Sequence, residues 1–385
     1  MQIGFVSRWP LDDRRAASGT NFKLFEALSQ RHSVVHIPYR PDAVLRAYSH
    51  GLEWLARLRG KNFSVNFTRL ASRRLARSLD KHLVEKVDLL FFPLTTSCLA
   101  GLQTDKPTVY LSDATFESLY DYYPSHSNFM KFNYQQGNAV QRKALDHATT
   151  VIVGAGWAQA SAVADYGQHP GKVHVIEFGA NLLDDDPTTI RTFCDSVRGD
   201  DHDERRPLTL LFVGVDWARK GGDIAVECCR ALNDHGIASR LHVVGTEVPL
   251  HHRDDNLVTH GFLDKNDPVD VKCLNELMAT AHLLILPTQA ECTGIVFCEA
   301  SAYGLPSFTI DTGGISDYVR NGVNGYRLPP GSTGVDFARK ISEVISSNEL
   351  GQLSEGAFET YASRLNWRRW LERFDNVTRG LHSDD

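Results

Sequence analysis

The stretch from residue 283 to residue 318, LLILPTQAECTGIVFCEASAYGLPSFTIDTGGISDY, is the most informative part of the chain. It opens with an apolar run, Leu283 to Leu286, which is typical of a strand buried on both faces of a parallel sheet. A short polar loop leads into a helix predicted over 295–303, which a Gly-x-Pro sequence ends. A second apolar run, 307–310, begins the next strand. The stretch therefore predicts a strand–loop–helix–strand unit of an α/β fold.

Two carboxylates in this stretch, Glu291 and Glu299, are eight residues apart. On one helix they would lie about 12 Å apart along the axis. A loop-plus-helix arrangement suits them better, because both side chains can then face a ligand bound at the helix N-terminus. Phosphates are favoured there by free N–H groups and by the helix dipole, and Thr293, Gly294 and Ile295 would supply those N–H groups. The alternative is two solvated surface glutamates, which the surrounding pattern disfavours.

A longer segment, PTQAECTGIVFCEASAYGLPSFTIDTGGISDYVRNGVNGYRLPPG over 287–331, resembles the nucleotide-sugar site of family-4 retaining glycosyltransferases. The shared marks are two glutamates separated by seven residues, a helix of small residues, Gly-x-Pro, a strand, Gly-Gly and Asn-Gly. The resemblance implies an α/β chain with the GT-B fold, in which two Rossmann-like domains with parallel sheets face a central cleft. It also implies transfer with retention at the anomeric carbon and without a metal ion.

Length and composition set the class of protein. The 385 residues suffice for two domains of roughly 150 to 200 residues each. A formal net charge of −6 argues against a general polyanion binder, and no nucleic-acid motif is present. Seven scattered cysteines without a C-x-x-C pair are best explained as reduced thiols, and a zinc site has little support.

Four segments are expected along the chain. Residues 1–180 would form an acceptor domain, 181–207 a polar and acid-rich linker, and 208–363 a nucleotide-sugar domain. The resemblance implies that a helix within 364–381 packs back on the first domain. The sequence has no pattern typical of a signal peptide or of a membrane-spanning helix, so a cytoplasmic protein is expected. Peripheral contact with the inner face of the membrane is a further expectation.

The loop GVDWARKG at 214–221 follows a clean β pattern over 208–213. The family places a Lys-Gly pair here and uses the lysine on the donor diphosphate, and Lys220 matches that position. Relatives also have an arginine where this chain has Val215, so Arg219 is the candidate replacement. Cations aimed at the leaving diphosphate would stabilise its developing charge. A solvent-exposed Arg-Lys pair is the alternative.

Other site candidates have less support from the residues alone. Phe262 and Leu263 follow a strand where relatives border the nucleobase, and core packing is the equal rival. Gly19 would let the loop after the first strand approach donor phosphates or acceptor, or else makes a plain turn. Asp113 stands at a strand end where relatives have a histidine near the transferred sugar, with loop capping as the alternative.

Residues 40–86 carry eleven lysines and arginines against four acidic residues, with Trp54, Phe63 and Phe67 interleaved. One interpretation is a solvated helical face with buried aromatics. The other is a basic and aromatic surface that meets a membrane or an anionic lipid acceptor.

The sequence thus predicts a hexosyltransferase that moves a sugar from an NDP-sugar, UDP- or GDP-linked, to a hydroxyl of a glycan or lipid-linked acceptor, without a cofactor. Lipopolysaccharide, exopolysaccharide or glycolipid synthesis is the expected setting. A catalytically silent sugar-nucleotide-binding protein is one alternative. An NAD-dependent oxidoreductase is another, based on Gly154-x-Gly156 and Glu177, although Gln159 replaces the third glycine of that fingerprint.

Overall fold

The computed structural model describes residues 1–13, 19–198, 207–252 and 255–381. The chain divides into two compact units. The first comprises Met1–Glu177 together with the chain from Leu371 onward, and the second comprises Phe178–Trp370. Each unit contains one six-stranded parallel sheet with helices between its strands.

In the first unit, one or more helices lie between each strand and the next. In chain order its elements are β1 Gln2–Ser7, α1 Thr20–Ser29, β2 Ser33–Pro38, α2 Ala43–Leu58, α3 Arg69–Arg77, α4 Lys81–Lys86, β3 Leu89–Pro93, α5 Thr96–Gly101, β4 Thr108–Ser112, α6 Phe116–Leu119, α7 Lys131–His147, β5 Thr150–Val153, α8 Gly156–Ala164 and β6 Val173–Val175. The strand order in the sheet is β2-β1-β3-β4-β5-β6. The switch point, where successive strands are added on opposite sides of the first one, therefore lies between β1 and β3.

The second unit repeats this design. Its elements are α9 Pro187–Arg198, β7 Leu208–Val213, α10 Trp217–Lys220, α11 Gly222–Asp234, β8 Ser239–Val244, β9 Leu257–Gly261, α12 Pro268–Thr280, β10 Leu283–Leu286, α13 Ile295–Ala302, β11 Ser307–Ile310, β12 Gly325–Leu328, α14 Gly334–Ser346, α15 Leu350–Ser363 and the start of α16 Trp367–Thr378. The order β12-β11-β10-β7-β8-β9 places the switch point between β7 and β10.

Burial follows from helices covering both faces of each sheet. Every residue of β3, β4 and β5 in the first unit is buried, as is every residue of β10 and β11 in the second. Continuous apolar runs of this kind are what central strands of parallel sheets require. Six of the seven cysteines are buried and all seven are free, in agreement with the expected reduced thiols.

The segment predicted as a linker, 181–207, contains a helix. The described part of α9 buries Ile190 and Cys194 within the second unit, and Arg191 forms a bidentate ion pair with Glu355 of α15. Residues 199–206 of the predicted linker lie outside the described residues.

The last helix, α16, belongs to both units. Trp367 and Trp370 are buried in the second unit, where Trp367 stacks on Phe178. From Leu371 onward the helix packs in the first unit, where Phe374 meets Phe91 of β3 edge to face.

Candidate functional site

The loop between β7 and α11 is pressed against the end of β10. Gly221 has a φ of +78°, which strongly favours glycine, and a Cβ there would lie 2.2 Å from the carbonyl oxygen of Pro287. Asp216 caps the short helix α10 by accepting a hydrogen bond from the Arg219 N–H at 3.1 Å. The loop therefore holds Lys220 at the switch point, beside the residues that follow β10.

Lys220 and Glu291 form an ion pair at this switch point. Arg219 joins them, with Nη1 3.7 Å from Glu291 Oε2 and donating to the Ala290 carbonyl oxygen at 2.9 Å. The three side chains are only 11%, 13% and 21% exposed for Lys220, Glu291 and Arg219. The structure thus brings together three of the predicted residues in a sheltered cluster, while Val215 is exposed to solvent.

The start of α13 lies next to this cluster in the chain. Gly294 has a φ of +72° and precedes Ile295, the first residue of the helix, and Thr293 is buried. A Cβ on Gly294 would lie 3.2 Å from Glu291 Cγ, so glycine also permits the close approach of the glutamate side chain.

Glu299 lies on the second turn of α13 and is 3% exposed. It is paired with Lys265, which follows β9 in the chain. The sequence analysis missed Lys265, because a partner 34 residues away in an unpatterned loop gives no local signal. Burying a carboxylate without an ionic partner is costly, and Lys265 supplies that partner for Glu299.

Phe262 and Leu263 begin the same loop. Phe262 is 68% exposed, which rules out core packing as its role, while Leu263 is half-buried. Their assignment to the nucleobase stays a prediction.

Two further predicted residues lie in the first unit. Asp113 follows β4 and is half-buried. Gly19 adopts a left-handed conformation, φ +88°, directly before α1. The loop that precedes Gly19, residues 14–18, lies outside the described residues.

A group of potential metal ligands was not anticipated from the sequence. Ligand atoms of Asp223, His251 and His252 lie within 4.8 Å of one another. Asp223 and His252 take part in a hydrogen-bonded chain, because Asp223 Oδ1 accepts from Trp217 Nε1 at 2.8 Å and lies 2.7 Å from His252 Nε2. The hydrogen bond from Trp217 and the neighbouring His252 lower the pKa of the Asp223 carboxyl. This group braces the start of α11 against the loop that carries Lys220.

The basic region 40–86 shows a mixture of the two predicted characters. Phe63 and Phe67 pack against other aromatic rings, and Arg74 pairs with Asp42 at 2.6 Å, as expected of a solvated helical face. Trp54 and Leu58, one turn apart on α2, are nevertheless 65% and 64% exposed. None of the helices in the described part of the chain has the length and apolar character needed to cross a membrane.

Glu177, the residue expected to bind the ribose in the NAD-dependent oxidoreductase alternative, already has a partner. Glu177 is buried and paired with Arg373 of α16 within the first unit. The pairing with Arg373 accounts for the buried carboxylate of Glu177 without a ligand.

Comparison with known proteins identifies the second unit. Residues 207–347 match the family described as glycosyl transferases group 1. Over these residues the chain is similar to that family. The resemblance seen in the sequence is thereby confirmed.

Two curated relatives illustrate the match. The D-inositol 3-phosphate glycosyltransferase of Geodermatophilus obscurus is 32% identical over 177 residues, which cover 43% of this chain and 38% of the relative. The lipopolysaccharide glucosyltransferase WaaG of Escherichia coli K12 is 30% identical over 170 residues, covering 41% and 39%. The chain thus spans less than half the length of each of these two relatives.

The solved structures extend the comparison to the whole chain. HepE of Anabaena, in complex with UDP and glucose, superimposes with a TM-score of 0.62 at 18% identity, covering 99% of this chain and 100% of the other. A likeness at that identity concerns the fold alone. Together with the two parallel sheets, it confirms the predicted GT-B class of two Rossmann-like units.

Proposed function

We propose that this group 1 glycosyltransferase moves a sugar from a nucleoside diphosphate sugar to a hydroxyl of a glycan or lipid-linked acceptor. The observation that carries the proposal is the sheltered cluster of Lys220, Arg219 and Glu291 at the switch point of the second unit. Ligands of parallel α/β sheets bind at such a point. The complex of HepE with UDP and glucose is consistent with a donor of this class.

Lys220 would bind the diphosphate. An ammonium group has three N–H donors, so the pairing with Glu291 leaves others for phosphate oxygens. Arg219 lies close enough to add a second cation, and so replaces the arginine that relatives carry at the position of Val215. The N–H groups of Thr293 to Ile295 at the start of α13 would complete the phosphate site.

The two glutamates would divide the rest of the donor between them. Glu299 would accept hydrogen bonds from the ribose hydroxyls, with Phe262 and Leu263 beside the base. Glu291 would bind hydroxyls of the transferred sugar and support positive charge near its ring. In the first unit, Asp113 and Gly19 remain our candidates for contacts with the sugar and with phosphate or acceptor.

The reaction would retain the configuration at the anomeric carbon, as the family resemblance implies. The bond from that carbon to the diphosphate oxygen breaks, and a bond to the acceptor oxygen forms on the same face. The acceptor proton passes to the leaving diphosphate oxygen, so no protein nucleophile is needed. Fixed cations would stabilise the leaving group in place of a metal ion.

The setting would be lipopolysaccharide, exopolysaccharide or glycolipid synthesis at the inner face of the membrane. The exposed Trp54 and Leu58, among the cations of residues 40–86, support peripheral contact with anionic lipid. The protein should then float with phosphatidylglycerol vesicles, less so at high salt, and Trp54→Ala should float less than the wild-type chain. Equal flotation of Trp54→Ala and the wild-type chain would contradict the contact.

A thermal-shift screen of UDP-, GDP-, ADP- and dTDP-sugars tests the proposal. One of these four classes of nucleotide sugar should raise the melting temperature of the wild-type chain. The same compound should raise the melting temperature of Lys220→Ala by a smaller amount. Product formation with an acceptor extract, unchanged by EDTA, should follow with the same donor. A shift without turnover on any acceptor would instead indicate a silent binding protein, and no shift with any donor would overturn the donor site.

A further inference from the structure

A cavity of about 650 Å³ lies in the first unit, at the carboxyl ends of its strands. Its walls come from the residues that follow β1, β2 and β3, from α2, and from a short 3-10 helix at Val65–Phe67. It therefore occupies the switch point of the first sheet, the position at which open α/β sheets bind ligands.

The charged groups that line this cavity are basic. Arg8 follows β1, and Arg46 and His50 lie on α2. His50 Nδ1 lies 2.7 Å from the Arg46 carbonyl oxygen, which can only accept, so Nδ1 carries the proton. No carboxylate is found among the described residues that line the cavity. The whole chain has a formal charge of −6, so this basic lining is local and does not reflect the bulk composition.

The two arginines are available to a ligand. Within the described ranges, neither Arg8 nor Arg46 has a carboxylate partner, whereas Arg74 nearby is paired with Asp42. The guanidinium of Arg8 lies 5.2 Å from the centre of the Trp9 ring, which keeps it beside the cavity.

A buried hydroxyl supplies an independent indication of a ligand. Thr95 lines the cavity, is 7% exposed, and has an Oγ1 with no hydrogen-bond partner in the described part of the protein. It precedes α5 but does not cap it. Its neighbours are satisfied internally, since Thr96 bonds to Tyr110 and Ser97 to the Asn66 carbonyl oxygen. Buried polar groups are nearly always paired, so a missing partner at Thr95 suggests a bound group.

An aromatic ring borders the same space. Trp9 lines the cavity and is 48% exposed, and its backbone is fixed by reciprocal hydrogen bonds with Ser7 at 3.0 and 3.1 Å. A half-exposed indole held in place offers an apolar face on which the C–H side of a sugar ring can pack.

We propose that this cavity binds the acceptor and selects one whose sugar or polyol carries an anionic group such as a phosphate. Arg8 and Arg46 pair with the anion, Thr95 Oγ1 hydrogen-bonds to the bound molecule, and Trp9 packs against its ring. The identification of the bound molecule as the acceptor rests on the function proposed above. The binding of an anionic sugar in the cavity is independent of that function.

Calorimetry on the full chain tests the proposal, with glucose 6-phosphate, glucose and inorganic phosphate as probes. Glucose 6-phosphate should bind about tenfold more tightly than glucose, because one extra charge-assisted pair is worth about that factor. The double variant Arg8→Gln, Arg46→Gln should lose this preference. Arg57→Gln, on α2 but outside the cavity lining, should keep it. Thr95→Val, which preserves the shape of the side chain, should weaken binding several-fold.

Two results would overturn the proposal: equal binding of glucose and glucose 6-phosphate, or an unchanged preference in the double variant. Absence of binding by both glucose 6-phosphate and inorganic phosphate would do the same. The thermal shift that a UDP-sugar produces should be the same in the double variant as in the wild-type chain. That result shows that the variant is folded, and it separates failure of the acceptor proposal from failure of the donor site. Displacement of glucose 6-phosphate by phosphatidylglycerol vesicles would identify a lipid headgroup as the natural anion, and its retention would identify a soluble sugar phosphate.

Discussion

The switch points of the two sheets have the same topology and different electrostatic character. Between β7 and β10, Glu291 offsets one of the two positive charges of Lys220 and Arg219 in a sheltered cluster. Between β1 and β3, Arg8 and Arg46 line an open cavity without a carboxylate among its described residues. The topology of a parallel sheet determines where a ligand binds, and the side chains that follow its strands determine which ligand. The following predictions test this contrast, from the largest expected effect to the smallest.

Lys220→Ala should have the largest effect. Removal of a cation directed at the leaving diphosphate should lower kcat/KM about 10²- to 10³-fold, as loss of one preorganised donor typically does. Transfer assays under single-turnover conditions measure the change. Arg8→Ala is the matched variant at the other switch point, and it should raise the acceptor KM while sparing donor binding. If the two variants lost donor binding equally, the contrast between the two sites would be wrong.

Glu291→Gln should lower kcat about a hundredfold with less change in donor affinity. The amide keeps hydrogen-bonding capacity but removes the charge that supports a positive sugar ring, so the loss should appear mainly in the transition state. Steady-state kinetics separate the two parameters. A loss confined to KM would assign Glu291 to ground-state binding alone.

Gly221→Ala should destabilise the second unit by about 2 to 4 kcal/mol. An alanine would adopt a left-handed conformation and would also meet the Pro287 carbonyl oxygen. Urea unfolding measures the loss. Gly322→Ala is the control, because Gly322 also has a positive φ but its Cβ would meet nothing closer than Tyr326 Oη at 3.7 Å. Equal losses in both variants would show that the close approach at Gly221 contributes nothing.

Glu299→Gln should raise the donor KM about tenfold. The amide is a weaker acceptor for ribose hydroxyls and leaves Lys265 without its partner. Lys265→Met provides the companion measurement. It should weaken donor binding by removing the partner of Glu299, while the Glu299 carboxylate that accepts the ribose hydrogen bonds stays in place. An unchanged KM in both variants would assign the pair to structure alone.

His242→Gln should have the smallest effect, on acid stability. His242 Nδ1 lies 3.0 Å from His260 Nε2, and burial together with His260 lowers the pKa of His242 to about 4. The unfolded chain takes up this proton near pH 6.5, so stability is lost as the pH falls from about 6.5 to about 4. Melting curves across that range should be less steep in pH for the variant. Identical pH dependence would place the sensitivity elsewhere.

Much of the second unit could be predicted from its sequence. The strands at 208–213, 283–286 and 307–310 have the predicted bounds, because continuous apolar runs between turn residues leave little choice of structure. Lys220, Arg219 and Glu291 meet because the carboxyl ends of adjacent parallel strands meet. The pairing of Lys265 with Glu299, 34 residues apart in the chain, could not be predicted, because neither local sequence points to the other.

The first unit was less predictable, and for a physical reason. The cavity gathers residues that follow β1, β2 and β3 with residues of α2, and each is unremarkable in its own segment. The orphan hydroxyl of Thr95 depends on the packing of its neighbours and leaves no trace in local sequence. In the second unit, helix α9 was missed, because its surroundings are acid-rich and its buried side chains are few.

Helix α16 makes the first unit discontinuous in the chain. Phe374, Arg373 and Asp375 supply its contacts with Phe91, Glu177 and His32, yet they are synthesised after the whole of the second unit. Domains that emerge first from the ribosome usually fold first. In this protein the first unit is the last to be completed. All residues of the second unit have been synthesised by Trp370, whereas the first unit lacks the residues that pack against β3 until the last turns of α16 are made.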